Sequence, residues 1–217
     1  MKNKMIVIDG VDGSGKGVQT RRLHQALVQA GHTALLTREP GGSPAAEDIR
    51  KLLVEGPPDK WDSMTELLLM YAARRSHLKD TILPALSRGD WVVSDRFADS
   101  SRAFQGIAGD LGLELVEKIH QIVVGSFEPD LVLILDIPES IALGRANARG
   151  GQEDRFEKKG EQYQAKVRRA FLQVAASRQS LYQVIDADHS IDEVTAQIFS
   201  SLNQRFQLSL EIDSDID

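Results

Sequence analysis

The stretch from Met5 to Thr20, MIVIDGVDGSGKGVQT, is an apolar run that breaks into glycines and ends beyond a lysine. Gly10, Gly13 and Gly15 carry no Cβ, so the backbone can turn tightly there and aim its N–H groups at a single anion. Lys16 adds a full positive charge, and a helix starting beside it contributes unsatisfied amides and the positive end of its dipole. Gly10, Val11, Asp12, Gly13, Ser14, Gly15 and Lys16 fill the first seven positions of G-x-x-x-x-G-K-[ST], with Ile6-Val7-Ile8 as the buried strand the pattern requires. The eighth position departs from it: Gly17, followed by Val18, stands where Ser or Thr would offer a hydroxyl to Mg²⁺. Phosphate cradling survives that change, whereas direct metal coordination from the loop does not.

With 217 residues, 41% of them hydrophobic, the chain can bury a sizeable core, and its length fits a single domain, with or without a small lid. Lysine and arginine number 26 against 32 aspartate and glutamate, a net charge of −6 that argues against general polyanion binding and against nucleic acid as a partner. Phosphate chemistry must then rest on a local cluster of cations. The absence of cysteine excludes disulfides and thiolate metal sites, and no apolar stretch is long enough to span a bilayer; the expected location is the cytoplasm.

Taken in order, Thr20, Leu23, Leu27 and Ala30 recur at helical spacing and Gly31 follows at the C-terminal end. TALLT (33–37) reads as a strand that runs into Arg38-Glu39-Pro40-Gly41-Gly42, a loop at the sheet edge where ligands bind or a plain connector. A helix through Ala46, Ile49, Leu52 and Leu53 ends at Gly56-Pro57-Pro58, and a long helical pattern runs from about Ser63 to Ile82, closing at Pro84 and Gly89. It carries Tyr71 and Arg75 four residues apart, a spacing that puts a ring and a guanidinium on one face. WVVSD (91–95) and LVLILD (131–136) are apolar strands ending in acids, the position from which P-loop enzymes hold Mg²⁺ or its waters. Asp95 is the better candidate, because Arg96 and Asp99-Ser100-Ser101-Arg102 surround it, whereas Asp136 is followed by Ile137-Pro138. After a helix over 113–123, the strand at 131–135 and the charged, glycine-punctuated stretch 145–160, helical spacing resumes from Tyr163. A last strand (183–187), a last helix and an acidic tail from 209 to 217, expected to be disordered, complete the chain.

Strands alternating with helices behind a phosphate loop predict an α/β fold: a P-loop NTPase-type parallel sheet of about five strands, helices on both faces, and a short lid at 145–160. Such folds host kinases, GTPases and motors alike. The chain has no Asn-Lys-x-Asp run for guanine and little room for motor modules, which leaves a small-molecule kinase as the class, its two anionic substrates held in line by cations.

The stretches IDGVDGSGKGVQT, TREPGGS, LLLMYAARRSHL, VVSDRFADSSRAFQG, FEPDLVLILDIP and DRFE, in that order, resemble the thymidylate kinases, which transfer the γ-phosphoryl of ATP to dTMP for dTTP synthesis. The resemblance implies that Lys16 and the loop amides hold ATP phosphates and that Asp12 meets the deoxyribose hydroxyl or the water shell of Mg²⁺. It implies that Arg75 and Arg96 grip the dTMP phosphate, that Tyr71 stacks on thymine, and that Glu39, Pro40, Ser101, Phe104 and Gln105 line the acceptor pocket. Asp95 would hold Mg²⁺ through water. In family members with glycine at the position of Gly13 the catalytic arginine comes from the lid, which points to Arg155, set in Asp-Arg-Phe-Glu, and to Arg149, with Arg145 against adenine. A cytoplasmic homodimer is the implied assembly. Phe97 and Phe104 stand where the family's DRY and AYQ patterns carry tyrosine, and Phe104 keeps a ring while losing a hydroxyl.

Overall fold

The computed structural model describes residues 4–149 and 155–212. Strand β1 (Met5–Gly10) is buried along its length, and β4 (Leu131–Asp136) is buried up to its final acid. Such unbroken apolar runs are what strands covered on both faces require. β1 pairs in parallel with β3 (Trp91–Asp95) on one side and β4 on the other, while β2 (Ala34–Arg38) and β5 (Tyr182–Asp186) form the edges. The five-stranded order is β2-β3-β1-β4-β5.

The connections are helical: α1 (Lys16–Gln29), α2 (Pro44–Val54), α3 (Ser63–His77), α4 (Leu83–Arg88), α5 (Ala98–Ser101), α6 (Leu113–Val123), α7 (Glu139–Arg149), α8 (Glu161–Ser177) and α9 (Ile191–Phe206). After β1 the chain travels to one edge and returns through β3, then crosses to the far side of β1 for β4 and β5. The crevice at the carboxyl ends of β1 and β3 is therefore the switch point at which open α/β sheets bind ligands. Ile8 pairs with Asp95, so the final carboxylate of β3 stands level with the end of β1.

Two segments depart from the sequence pattern. The helix expected over 63–82 is α3 followed by a π-helical turn, Leu78–Ile82, and then α4. Pro84 has no N–H to give the carbonyl of Asp80, and the widened turn absorbs that loss. The polar run after Asp95 becomes α5 and a π-helix, Arg102–Ala108, which carries Phe104 and Gln105. At the far end Leu210 is buried, and Asn203 binds both its N–H (2.8 Å) and its carbonyl (3.0 Å), so part of the stretch assigned to an acidic tail is packed. Residues 213–217 lie outside the described ones, as do 150–154 of the stretch read from the sequence as a lid and the side chain of Arg149.

Candidate active site

The loop between β1 and α1 takes its shape from two constraints on glycine. A Cβ at Gly13 would overlap the backbone oxygen of Ala142 in α7, so this glycine is dictated by packing as much as by ligand approach. Gly15 caps α1 in the left-handed conformation, φ 95°, which glycine adopts without cost. Lys16 folds back over the loop and donates from Nζ to the carbonyl of Val11 at 2.6 Å. Burial, with Arg96 nearby, brings its ammonium down to about 8 from the ordinary lysine value, against the opposite pull of Asp12, Asp95 and Asp9.

Arg96 faces this loop from the tip of β3. Its Nη1 donates to Asp9 Oδ1 (3.1 Å), Gly10 O (2.8 Å) and Ser100 Oγ (3.0 Å), and its Nη2 to Asp12 Oδ1 (2.5 Å). The ring of Phe104 lies 5.3 Å from the guanidinium. Burial works against this cation, yet Asp12, Asp9 and Asp95 hold its pKa above the ordinary arginine value. Its backbone sits at φ 69°, a strained conformation for a bulky residue that the surrounding bonds over-determine. Asp9, fully buried beneath, is pushed up to about 6 by burial, with Arg96 opposing the shift.

The loop after β2 forms the adjoining wall. Glu39 accepts from Arg74 Nε at 2.7 Å through Oε2 and lies 3.1 Å from His77 Nδ1 through Oε1, and the far nitrogen of His77 is 2.7 Å from Thr37 Oγ1. Despite burial, Arg74 and His77 hold the Glu39 carboxyl below its ordinary range. Arg74 also donates to Ser101 Oγ (3.2 Å) and Phe97 O (3.0 Å) and stacks on Tyr71, 4.5 Å from the ring centre.

These walls enclose a cavity of about 840 Å³, the size of a small-molecule site. One end is lined by Glu39, Pro40, Met70, Arg74, Phe97, Ser100, Phe104 and Gln105, and the middle by Asp12 to Val18, Asp95 and Arg96. The other end is lined by Arg145, Ala187, His189, Ser190, Ile191 and Val194. Most of the residues expected from the sequence are therefore brought to one space, with Gly10 and Val11 shaping the loop behind it.

Apart from Arg149, whose side chain lies outside the described residues, four others do not line it, and each has a physical reason. Arg75 is exposed and reaches only toward the carbonyl of Val123 (3.4 Å); the helical turn directs Arg74 inward instead. Tyr71 is buried against His120, Leu67 and Val116 and supports Arg74 from behind; Met70 is the α3 side chain on the cavity wall. Ser101 spends its hydroxyl on Arg74 and does not line the space. Arg155 is fully buried away from the cavity, donating to the carbonyls of Leu53, Pro57, Pro58 and Trp61 and to Glu66 Oε1 at 2.6 Å. It ties the chain at 155 to the α2–α3 connection and does not line the cavity.

Met70, Asp9 and the end lined by His189 and Ile191 were not singled out from the sequence, and Arg74 stood there only as one of an adjacent arginine pair. Met70 and Arg74 stand four apart, one helical turn, and that was the available signal. Asp136, the other acid at a strand end, has both its oxygens accepting from Arg168 of α8, at 2.7 and 3.0 Å, and does not line the cavity.

Asp95 is the carboxylate at the end of β3 that could hold a divalent cation. A Cβ added at Gly17 would lie 3.7 Å from Asp95 Oδ2 and 3.5 Å from Arg21 Nη1, so the missing hydroxyl would have pointed into the region of this carboxylate. No group of three or more potential metal ligands exists among the described residues. The donor set therefore suits a cation carried in on phosphate oxygens and held by one carboxylate through water.

The thymidylate kinase family model matches residues 8–198. A thymidylate kinase of Caulobacter vibrioides is 48% identical over 203 residues, 94% of this chain and 97% of that relative. A thymidylate kinase of Magnetococcus marinus is 41% identical over 209 residues, 96% of this chain and 100% of its own length. The crystal structure of thymidylate kinase from Ehrlichia chaffeensis superposes with a TM-score of 0.77 at 27% identity, covering 93% of this chain and all of the other.

Proposed function

The chain belongs to the thymidylate kinase family, and from that premise we propose that it transfers the γ-phosphoryl of ATP to dTMP, giving dTDP and ADP. The observation that carries the proposal is the continuity of the cavity: the phosphate loop and Arg96 line the same space as Glu39, Met70 and Gln105 on one side and Arg145 and Ile191 on the other. Two anionic substrates can lie in line there, their repulsion offset by Lys16 and Arg96.

In this reading the loop amides and Lys16 hold the β- and γ-phosphates of ATP, and Arg145 lies against adenine. Arg96, fixed by Asp9, Asp12 and Ser100, presents its guanidinium to the dTMP phosphate. Asp12 retains acceptor capacity for the deoxyribose hydroxyl. A dTMP phosphate oxygen attacks Pγ as the bond from Pγ to the bridging oxygen breaks, and Lys16 meets the charge that develops on ADP. The acceptor oxygen is already anionic, so no general base is needed. Asp95 would hold Mg²⁺ through water, and the cation would supply charge neutralisation when bound. Arg149, one turn beyond Arg145 on α7, is assigned the transition-state charge from the family pattern.

We assign the activity to the cytoplasm, where ATP and its acceptor are made, and infer a homodimer. Support for the dimer comes from exposed apolar side chains on helices that pack in series: Leu52 on α2, Leu68 on α3 and Ile122 on α6, the last 83% exposed.

The test is ADP release from ATP and Mg²⁺ with dTMP, dUMP, UMP, dCMP, dAMP, thymidine or no acceptor. Turnover fastest with dTMP and absent with thymidine is expected. Preference for a nucleoside, or ATP binding without any turnover, would overturn the assignment.

A further inference from the structure

Gln105 lines the acceptor end of the cavity, and its two amide atoms have unequal situations. Nε2 donates to Glu66 Oε2 at 3.1 Å, whereas Oε1 is buried with no hydrogen-bond partner among the described residues. The other oxygen of Glu66 accepts from Arg155 Nη2 and Lys159 Nζ, each at 2.6 Å. Glu66 has no exposure, and the residues around it leave it no other role than acceptor. A carboxylate cannot donate, so it dictates which way the Gln105 amide faces.

Resting on the function proposed above, we infer that Glu66 is a positioning residue that sets base specificity: it locks Gln105 with Oε1 reserved for a donor on the acceptor base. A buried carbonyl oxygen without a partner costs free energy until it meets an N–H. A 4-oxopyrimidine such as thymine supplies one at N3. A 4-aminopyrimidine such as cytosine carries a lone pair there instead, which the oxygen repels. The discrimination is thus built one residue behind the wall, and the same carboxylate ties the pocket to Arg155 and Lys159.

The decisive variant is Glu66→Gln. Arg155 and Lys159 would hold the new amide by its oxygen, turning its NH₂ toward Gln105, which must then offer Oε1 to residue 66 and Nε2 to the cavity. The polarity met by the base is inverted. We expect the dTMP-to-dCMP ratio of kcat/KM to fall at least tenfold, with dCMP binding tightened and dTMP binding weakened in calorimetry without ATP. Adding Gln105→Glu to Glu66→Gln restores an acceptor and the preference for dTMP. Equal loss for both acceptors, or an unchanged ratio, overturns the inference. If Glu66→Gln does not fold, ¹⁵N-glutamine-labelled wild-type protein decides: slowly exchanging Gln105 side-chain amide protons, with and without dTMP, support the lock, and fast exchange overturns it. Failure of wild-type protein to phosphorylate dTMP would instead sink the functional assignment, so the two failures are distinguishable.

Discussion

The tripeptide Asp-Arg-Phe occurs at 95–97 and again at 154–156, and its two arginines have opposite fates. Arg96 projects from a strand tip into the cavity, strained at φ 69° and gripped by the carboxylates of Asp9 and Asp12. Arg155 turns away from the cavity into a cage of backbone carbonyls closed by Glu66. The same local sequence faces a cavity in one place and an internal carboxylate in the other. What differs is the set of acceptors within reach: Arg96 shares its carboxylates with a cavity, whereas the α2–α3 connection saturates Arg155.

The contrast can be broken most severely at Arg155. Arg155→Ala leaves Glu66 buried with a reduced complement of cations, and should cost about 3–5 kcal/mol of stability. In a chain of this size that lowers Tm by roughly 6–20 °C, measurable by calorimetry. A normal Tm with a collapsed kcat would instead return Arg155 to catalysis. Arg96→Lys keeps a cation for Asp9 and Asp12 but loses the planar fork. We expect kcat/KM for dTMP to fall on the order of 10² with little change in Tm, and a large Tm loss would mark Arg96 as another structural cage.

A neighbouring pair sharpens the same lesson. Arg74→Ala should raise KM for dTMP on the order of tenfold or more, because its guanidinium braces Glu39 and the Phe97 carbonyl. Arg75→Ala, on the exposed side, should stay within about twofold. Equal effects would contradict the inward assignment of Arg74.

Lys16 adds a pH dependence. With its ammonium brought down to about 8, the unliganded protein loses that charge as pH rises through 8, while bound phosphate favours the protonated form. ATP affinity should therefore weaken between pH 7 and 9, up to about tenfold per pH unit, with proton uptake on binding visible as a buffer-dependent calorimetric heat. A flat profile would mean that Lys16 stays fully charged. The smallest effect belongs to Gly17→Ser: an added Cβ meets nothing closer than 3.5 Å, and the hydroxyl should lower the Mg²⁺ concentration for half-maximal rate by roughly threefold. No change would place the cation away from this residue.

Where information is local, the sequence was legible. The phosphate loop is a contiguous string whose glycines and lysine act within a few residues of one another, and β1, β3 and β4 announce themselves as apolar runs. Asp95 and Arg96 could be placed because a strand end in a parallel sheet has a known relation to the loop. Tyr71 and Arg75 were misplaced because four-residue spacing defines a shared face without saying which way that face looks; the contacts of α3 with α2 and α6 decide that. Glu66, Gln105 and Arg155 meet across sequence separations of 39 and 89 residues, which no periodicity reveals.

The sequence by itself determined the fold class, the site's position at the head of β1 and the phosphate chemistry, since each follows from short-range backbone geometry and the sign of nearby charges. Only the tertiary structure decided which arginines face the cavity, which carboxylates are spent on holding them, and which amide atom of Gln105 is left without a hydrogen-bond partner among the described residues. Those outcomes depend on competition among buried donors and acceptors that the folded chain alone brings within hydrogen-bonding distance.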